Sequence, residues 1–323
     1  MRMARIKIAG RDAVYHCISR IVGGEPLLGD GEKEKLRRLL WRQAAFSGLE
    51  VITYCLMPNH FHLLLRLPAP SPLSDAQLVE RARAYYGSQS PYVRLLQEAL
   101  LRVGALPEDL RKGLSCRMGD LSVFMKELKQ GLSLWYNKSH QRFGTLWAER
   151  YKSLVVEDEP GTVRTVAAYV DLNPVRAGMV EDAKDYRWSG YGEAVAGGAL
   201  ARRGLASFHQ GEDWAVVGPE YRKVLLVSSG WAGRSGKVVL DGEGIRRELA
   251  RGGKLSLGQV LRLRVRYFSD GVVLGSRNYV NALFREYRDR FGPKRRTGAR
   301  PLRGLAALSH LATLRDLRVD AVG

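Results

Sequence analysis

The apolar pattern lays out a run of alternating element types. Ala13-Val14-Tyr15-His16-Cys17-Ile18-Ser19-Arg20 reads as a strand, stopped by a turn through Gly23, Gly24 and Pro26. Leu36, Leu39, Leu40 and Ala44 then recur at helical spacing among lysines and arginines, with Asp30 as the cap and an end near Gly48. Glu50 to Met57 and His60 to Leu67 are two more strands. They part at Pro58-Asn59, because proline cannot donate to a ladder and asparagine tolerates turn geometry. Strand, helix, strand, strand is the first half of a split β-α-β arrangement.

Pro68-Ala69-Pro70-Ser71-Pro72 breaks this pattern, and the helical, Arg-rich stretch from there to Gly119 reads as an insertion. Leu121 to Lys138 is a second strong helix, with Val123, Phe124, Leu128, Leu132 and Trp135 on one stripe. Ser153 to Glu157 is a short strand. A helix follows from about Thr162 to Asn173, where Pro174 forbids clean continuation. Val163, Val166, Ala167 and Val170 form its buried stripe.

Two of these elements carry candidate chemistry. On the third strand His60, His62, Leu64 and Arg66 share one face, while Phe61, Leu63, Leu65 and Leu67 share the other. The apolar face suits packing on helices, so both imidazoles are expected to project together from the opposite side, where they can hold one divalent metal ion. On the last helix Tyr169 and Asn173 stand one turn apart at the edge of the stripe. Each pair alone also has a bland reading, a structural histidine pair and a core-edge tyrosine beside a helix-ending asparagine.

Composition favours a polyanionic partner. Among 323 residues, 52 Lys plus Arg face 33 Asp plus Glu, a net charge of +19, and the apolar fraction of 45% supports a real core. The three cysteines (Cys17, Cys55 and Cys116) form no C-x-x-C pair, which suits a reduced cytoplasm without a disulfide framework or thiolate zinc site. The basic N-terminal segment is followed by no apolar h-region, no run approaches membrane-spanning length, and no G-x-x-x-x-G-K-[ST] phosphate loop is present. A soluble, cytoplasmic, nucleoid-associated protein with no membrane partner is expected.

Four segments in order resemble the REP-associated tyrosine transposases, bacterial relatives of the IS200/IS605-type Y1 transposases within the HUH endonuclease superfamily. They are Ala13-Val14-Tyr15-His16, Tyr54 through Pro58-Asn59-His60-Phe61-His62 to Leu65, Trp147 through Arg150-Tyr151-Lys152-Ser153, and Tyr169-Val170-Asp171-Leu172-Asn173-Pro174-Val175-Arg176-Ala177-Gly178. Tyr186-Arg187-Trp188-Ser189-Gly190-Tyr191 is similar to the family's closing motif. The resemblance covers roughly the first 190 residues. It implies an α+β fold, a ferredoxin-like antiparallel sheet with packed helices. It also implies His60, His62 and Asn173 as ligands of Mg²⁺ or Mn²⁺, and Tyr169 as nucleophile toward single-stranded or hairpin DNA. Arg142, Arg150, Lys152 and Arg176 are the cations expected to meet that DNA. Two departures are visible: Gly144 is followed by Thr145 where the family often has histidine, and the Pro68 to Gly119 segment looks longer than usual.

These pieces suggest a catalytic unit over 1–193 with its insertion at about 68–119, a linker over 194–254, and a helical region over 255–323. In the last, Leu257, Val260, Leu261, Val265 and Phe268 form one helical stripe. Behind Ser276, residues Tyr279, Val280, Leu283, Phe284, Tyr287 and Phe291 form another. The pair suits either a helix-turn-helix DNA reader or a plain hairpin packed on the nuclease. Lys294, Arg295 and Arg296, with Arg300 and Arg303, follow as a basic tail expected to contact phosphates. Two functions fit: a metal-dependent single-strand endonuclease and strand transferase, and a catalytically silent regulator that binds DNA or RNA hairpins. Either is compatible with a monomer or a homodimer.

Overall fold

The computed structural model describes residues 5–209, 212–229, 257–262, 265–302 and 305–314. In chain order the first elements are β1 (Ala13–Arg20), α1 (Asp30–Ser47), β2 (Glu50–Met57) and β3 (His60–Leu67). The insertion helices follow, α2 (Asp75–Tyr86), α3 (Pro91–Val103) and α4 (Glu108–Ser115), and then α5 (Leu121–Ser139) and β4 (Lys152–Val156). The four strands stand side by side as β2-β3-β1-β4, every neighbour antiparallel. With α1 and α5 on one face this is the expected ferredoxin-like α+β unit. That face is built from Tyr15, Cys17, Phe61, Leu63 and Leu65 against Leu36, Leu40, Phe124, Leu128 and Leu132. Gly48 ends α1 at φ +76, a left-handed turn at which any side chain is strained. The insertion is helical, as read from sequence, and gathers Leu78, Val79, Ala82, Leu96 and Leu114 around Phe46 of α1.

The histidine side of the sheet carries a second layer of helices. It is covered by α6 (Pro160–Asp171), α7 (Asn173–Arg176), α8 (Gly190–Val195), α9 (Ala199–Ala206), α10 (Trp214–Ser229), α11 (Leu257–Arg262) and α12 (Arg266–Asp270). Val14, Leu64 and Leu154 meet Val166, Tyr169, Leu205, Tyr221, Leu261 and Phe268 in this second core. The supposed linker is therefore folded where it is described, over 194–209 and 212–229; residues 230–256, Leu255 among them, lie outside the described residues. A Gly/Ala-rich stretch looks like a linker, yet its small residues permit close packing. A Cβ on Gly204 would stand 2.1 Å from the Val51 carbonyl oxygen, so only glycine lets α9 lie on β2.

The C-terminal region is a sheet extension rather than a helix-turn-helix. β5 (Val273–Ser276) occupies the place of the expected turn and runs parallel to β4, pairing Val155 with Val273. α13 (Arg277–Glu286), β6 (Arg300–Pro301) and β7 (Leu311–Thr313) complete a seven-stranded sheet of order β2-β3-β1-β4-β5-β7-β6. The physical reason is the free edge of β4, which the β-branched run Val272-Val273 can pair with. The expected cap of α13 is present, the Ser276 hydroxyl accepting from the Tyr279 amide at 3.2 Å. Among the described residues no helix is long and apolar enough to cross a membrane.

Candidate functional site

The pleat of β3 places His60 and His62 on one face, opposite Arg20 and Ile18 of β1. Their rings stand edge to face with centroids 5.0 Å apart. His16 of β1 joins them, its ring stacked 5.1 Å from that of His62. The hydrogen bonds fix the tautomers. The Phe268 carbonyl can only accept, so at 2.8 Å it holds the proton on His16 Nδ1. His16 Nε2 is then an acceptor, and His62 Nδ1, 2.9 Å away, donates to it. His62 Nε2 is thereby left as the unprotonated nitrogen. Asn59 orients His60: its Nδ2 donates to the Gly24 carbonyl at 3.0 Å, which turns Oδ1 toward His60 Nδ1 at 2.6 Å. Burial keeps the inner pair neutral, lowering His16 to about 4 and His62 well below the ordinary histidine value.

Tyr169 reaches the same place from α6. Its ring lies edge-on to His16 and His62, with centroids 6.2 and 6.3 Å away, and against Phe268 at 4.9 Å. It is 2% exposed, a buried residue rather than the stripe-edge one expected. The cause is Phe268 of α12, which packs against the Tyr169 ring from far along the chain. Asn173 starts α7 and turns its Nδ2 back to the carbonyls of Tyr169 (3.2 Å) and Val170 (3.0 Å), so its Oδ1 is the atom left to meet a ligand. Arg176 covers the Tyr169 ring with its guanidinium 4.0 Å from the centroid and donates to the Tyr169 and Leu261 carbonyls. Burial lowers the pKa of Arg176. Expected as a DNA contact, its guanidinium is engaged within the fold.

The other expected cations divide. Arg150 is exposed and Arg142 half-buried, both in the segment that leads into β4. Lys152 is tied to Asp270 at 2.7 Å. Lys294 and Arg296 are exposed, but Arg295 packs on Phe284 and Phe291 and donates to the Thr297, Gly298 and Leu314 carbonyls. They precede β6, the edge strand at the end of the sheet away from β3 and β1; Arg303 is outside the described residues. Sequence reasoning overlooked His16, Asn59 and Arg20. For His16 a signal existed: the strand pattern puts Val14, His16, Ile18 and Arg20 on one face, and the segment stands among the motifs quoted above.

Behind Tyr169, Asp171 is buried and accepts from the Thr53 hydroxyl (2.9 Å), the Tyr221 hydroxyl (2.7 Å) and the Tyr191 amide (3.2 Å). Burial outweighs these donors and raises its pKa to about 7. The folded protein then holds a proton that the unfolded chain releases near pH 4, so this group's contribution falls as pH rises from about 4 to about 7. Over roughly three pH units that is on the order of 4 kcal/mol. His16, lowered to about 4, acts oppositely, its contribution being lost as pH drops below about 6.5. The expected result is a stability difference between wild type and Asp171→Asn that changes steadily from pH 5 to 7 and levels off above, measured by urea denaturation. A pH-independent difference would remove the assignment.

Among the described residues no three His, Cys, Asp or Glu side chains gather as a metal site. No protein-family model matches the chain, and no curated protein matches it. Among solved structures, the chain is similar to a REP-associated tyrosine transposase bound to a REP hairpin. That likeness covers 61% of this chain and 87% of the other, at 16% identity and a TM-score of 0.39.

Proposed function

We propose that this chain is a tyrosine-dependent, metal-assisted endonuclease and strand transferase acting on single-stranded DNA beside a hairpin. The observation that carries the reading is the convergence of the Tyr169 ring on His62, 6.3 Å between centroids, with His60 at 5.0 Å on the same face. The imidazoles of His60 and His62 and the Asn173 amide oxygen are donor types that would hold Mg²⁺ or Mn²⁺, which would supply polarisation of the phosphoryl oxygens when bound. The side chains do the rest. The Tyr169 oxygen forms a bond to phosphorus as the P–O3′ bond breaks; the phenol proton is lost and the departing 3′ oxygen gains one. This leaves a 5′-phosphotyrosine and a free 3′-OH, so strand transfer needs no ATP. The Arg176 guanidinium, over the ring at 4.0 Å, favours the developing phenolate. Arg20 and Arg150, both exposed, offer charge to the flanking phosphates.

The burial of Tyr169 favours a second reading, the catalytically silent hairpin-binding regulator. Incubation with labelled hairpin DNA carrying single-stranded flanks, with Mn²⁺ or EDTA, separates the two on a denaturing gel. A metal-dependent covalent adduct is expected; tight binding with no adduct under any metal supports the regulator. His16→Ala probes the support behind the ligands. It leaves the Phe268 carbonyl and His62 Nδ1 unpaired, which costs about 1–3 kcal/mol of stability. By freeing the His62 ring it should weaken Mn²⁺ affinity by roughly 10- to 100-fold in calorimetric titration. Unchanged Mn²⁺ affinity in a folded His16→Ala protein would separate His16 from the site.

A further inference from the structure

We propose that the loop between α5 and β4 is a nucleobase-stacking contact, in which Phe143 stacks on an unpaired base and Arg142 takes an adjoining phosphate. The inference rests on the nucleic-acid reading above but not on any chemistry at Tyr169. Phe143 is 94% exposed, and the next most exposed aromatic among the large apolar side chains described is Tyr86 at 38%. A phenyl ring held in water leaves its flat face free to meet a planar partner.

The loop backbone on both sides of the ring is tied down. The Arg142 amide donates to the Asn137 carbonyl at 2.9 Å, and Asn137 Nδ2 donates to the Gly144 carbonyl at 3.0 Å. His140 stacks on Tyr136 at 4.2 Å and meets Glu32 at 3.0 Å. Gln141 bends the chain at φ +50, a conformation uncommon outside glycine. Contacts prepared in this way lose little ordering entropy on binding.

Arg142 supplies the second, independent observation. It is half-buried, its Nη1 is fully enclosed, and no acceptor for its guanidinium lies among the described residues. A half-buried guanidinium whose enclosed Nη1 has no acceptor is suited to an anion. The location fits. Beyond Gly144 the chain runs beside the end of β1: the Val22 amide donates to the Leu146 carbonyl and the Ala148 amide to the Arg20 carbonyl, each at 3.0 Å. Arg20 is itself paired in register with His60. A flat apolar ring beside an uncompensated cation, in a chain of net charge +19, matches a strand that carries both π-faces and phosphates. A folded duplex offers no free base face, so the occupant is single-stranded nucleic acid.

The test compares wild type, Phe143→Ala, Phe143→Trp and Arg142→Gln by fluorescence anisotropy, on a hairpin with single-stranded flanks and on a blunt duplex. Phe143→Ala should weaken binding to the flanked hairpin by roughly five- to 150-fold, with Phe143→Trp close to wild type. Binding to the blunt duplex should be unchanged in both. Abasic substitution at one flank position should bring wild type down to the level of Phe143→Ala. Arg142→Gln should reduce the salt slope by about one. If wild type binds the flanked hairpin and a folded Phe143→Ala binds it equally well, the stacking contact is refuted while the nuclease reading stands. The same holds if Phe143→Ala changes only the oligomeric state in sedimentation, since the ring then meets a second copy. If wild type binds neither DNA, the nucleic-acid reading fails and this inference with it.

Discussion

A chain ended at Ala199 should show no cooperative unfolding transition. The cut removes Leu205, Phe208, Tyr221, Leu225 and Phe268, all buried in the core that covers the histidine face of the sheet. At about 2 kcal/mol for each fully buried side chain, the loss is on the order of 10 kcal/mol, comparable with the whole stability of a typical domain. Two polar losses add to it. Asp171 loses the Tyr221 hydroxyl at 2.7 Å, and His16 loses the Phe268 carbonyl at 2.8 Å. The free β4 edge that β5 now covers becomes a site for association with other chains. Circular dichroism through a urea titration reads the outcome. A sharp transition in residues 1–199, together with Tyr169 adduct formation on hairpin DNA, would show that the chain divides near residue 193 after all.

That expectation reverses the division read from the sequence, and the reasons are physical. Period and punctuation made the β-α-β-β-α-β unit legible. Asp30 to Gly48, Pro58-Asn59 and the 60–67 alternation each report local backbone preference, and local preference decided those elements. What failed was non-local. Glycine and alanine between 194 and 206 mark a linker or a close approach with equal force, and only the position of Val51 against Gly204 selects the second. Val272-Val273-Leu274 is too short to separate from the end of a helix until the edge of β4 is there to receive it. The site divides in the same way. His60, His62, Tyr169 and Asn173 were visible through spacing and motif order. The hydrogen-bond chain from Phe268 through His16 to His62 spans 252 residues of sequence in its first step, and no pattern along the chain encodes it. Arg176 and Arg295 were read as DNA contacts because a basic run and a motif position say nothing about which guanidinium the fold uses internally.

Tyr169→Phe should abolish the covalent adduct while leaving the protein folded and DNA-bound. The substitution is informative because the ring and the hydroxyl have separable roles here. The ring makes the packing contacts, with His16, His62, Phe268 and the Arg176 guanidinium, and phenylalanine keeps all four. The hydroxyl has no hydrogen-bond partner among the described residues, so removing it strands no buried donor or acceptor. A stability change within about 1 kcal/mol is therefore expected, against about 3–5 kcal/mol for Tyr169→Ala, which empties the site. The chemistry has no such tolerance. Without the oxygen no bond to phosphorus can form, so adduct should fall below detection at any Mn²⁺ concentration, while hairpin affinity stays within about twofold of wild type. Adduct yield from a folded Tyr169→Phe protein equal to wild type would assign the nucleophile elsewhere. Loss of adduct only in Tyr169→Ala, together with loss of folding, would reduce Tyr169 to a core residue.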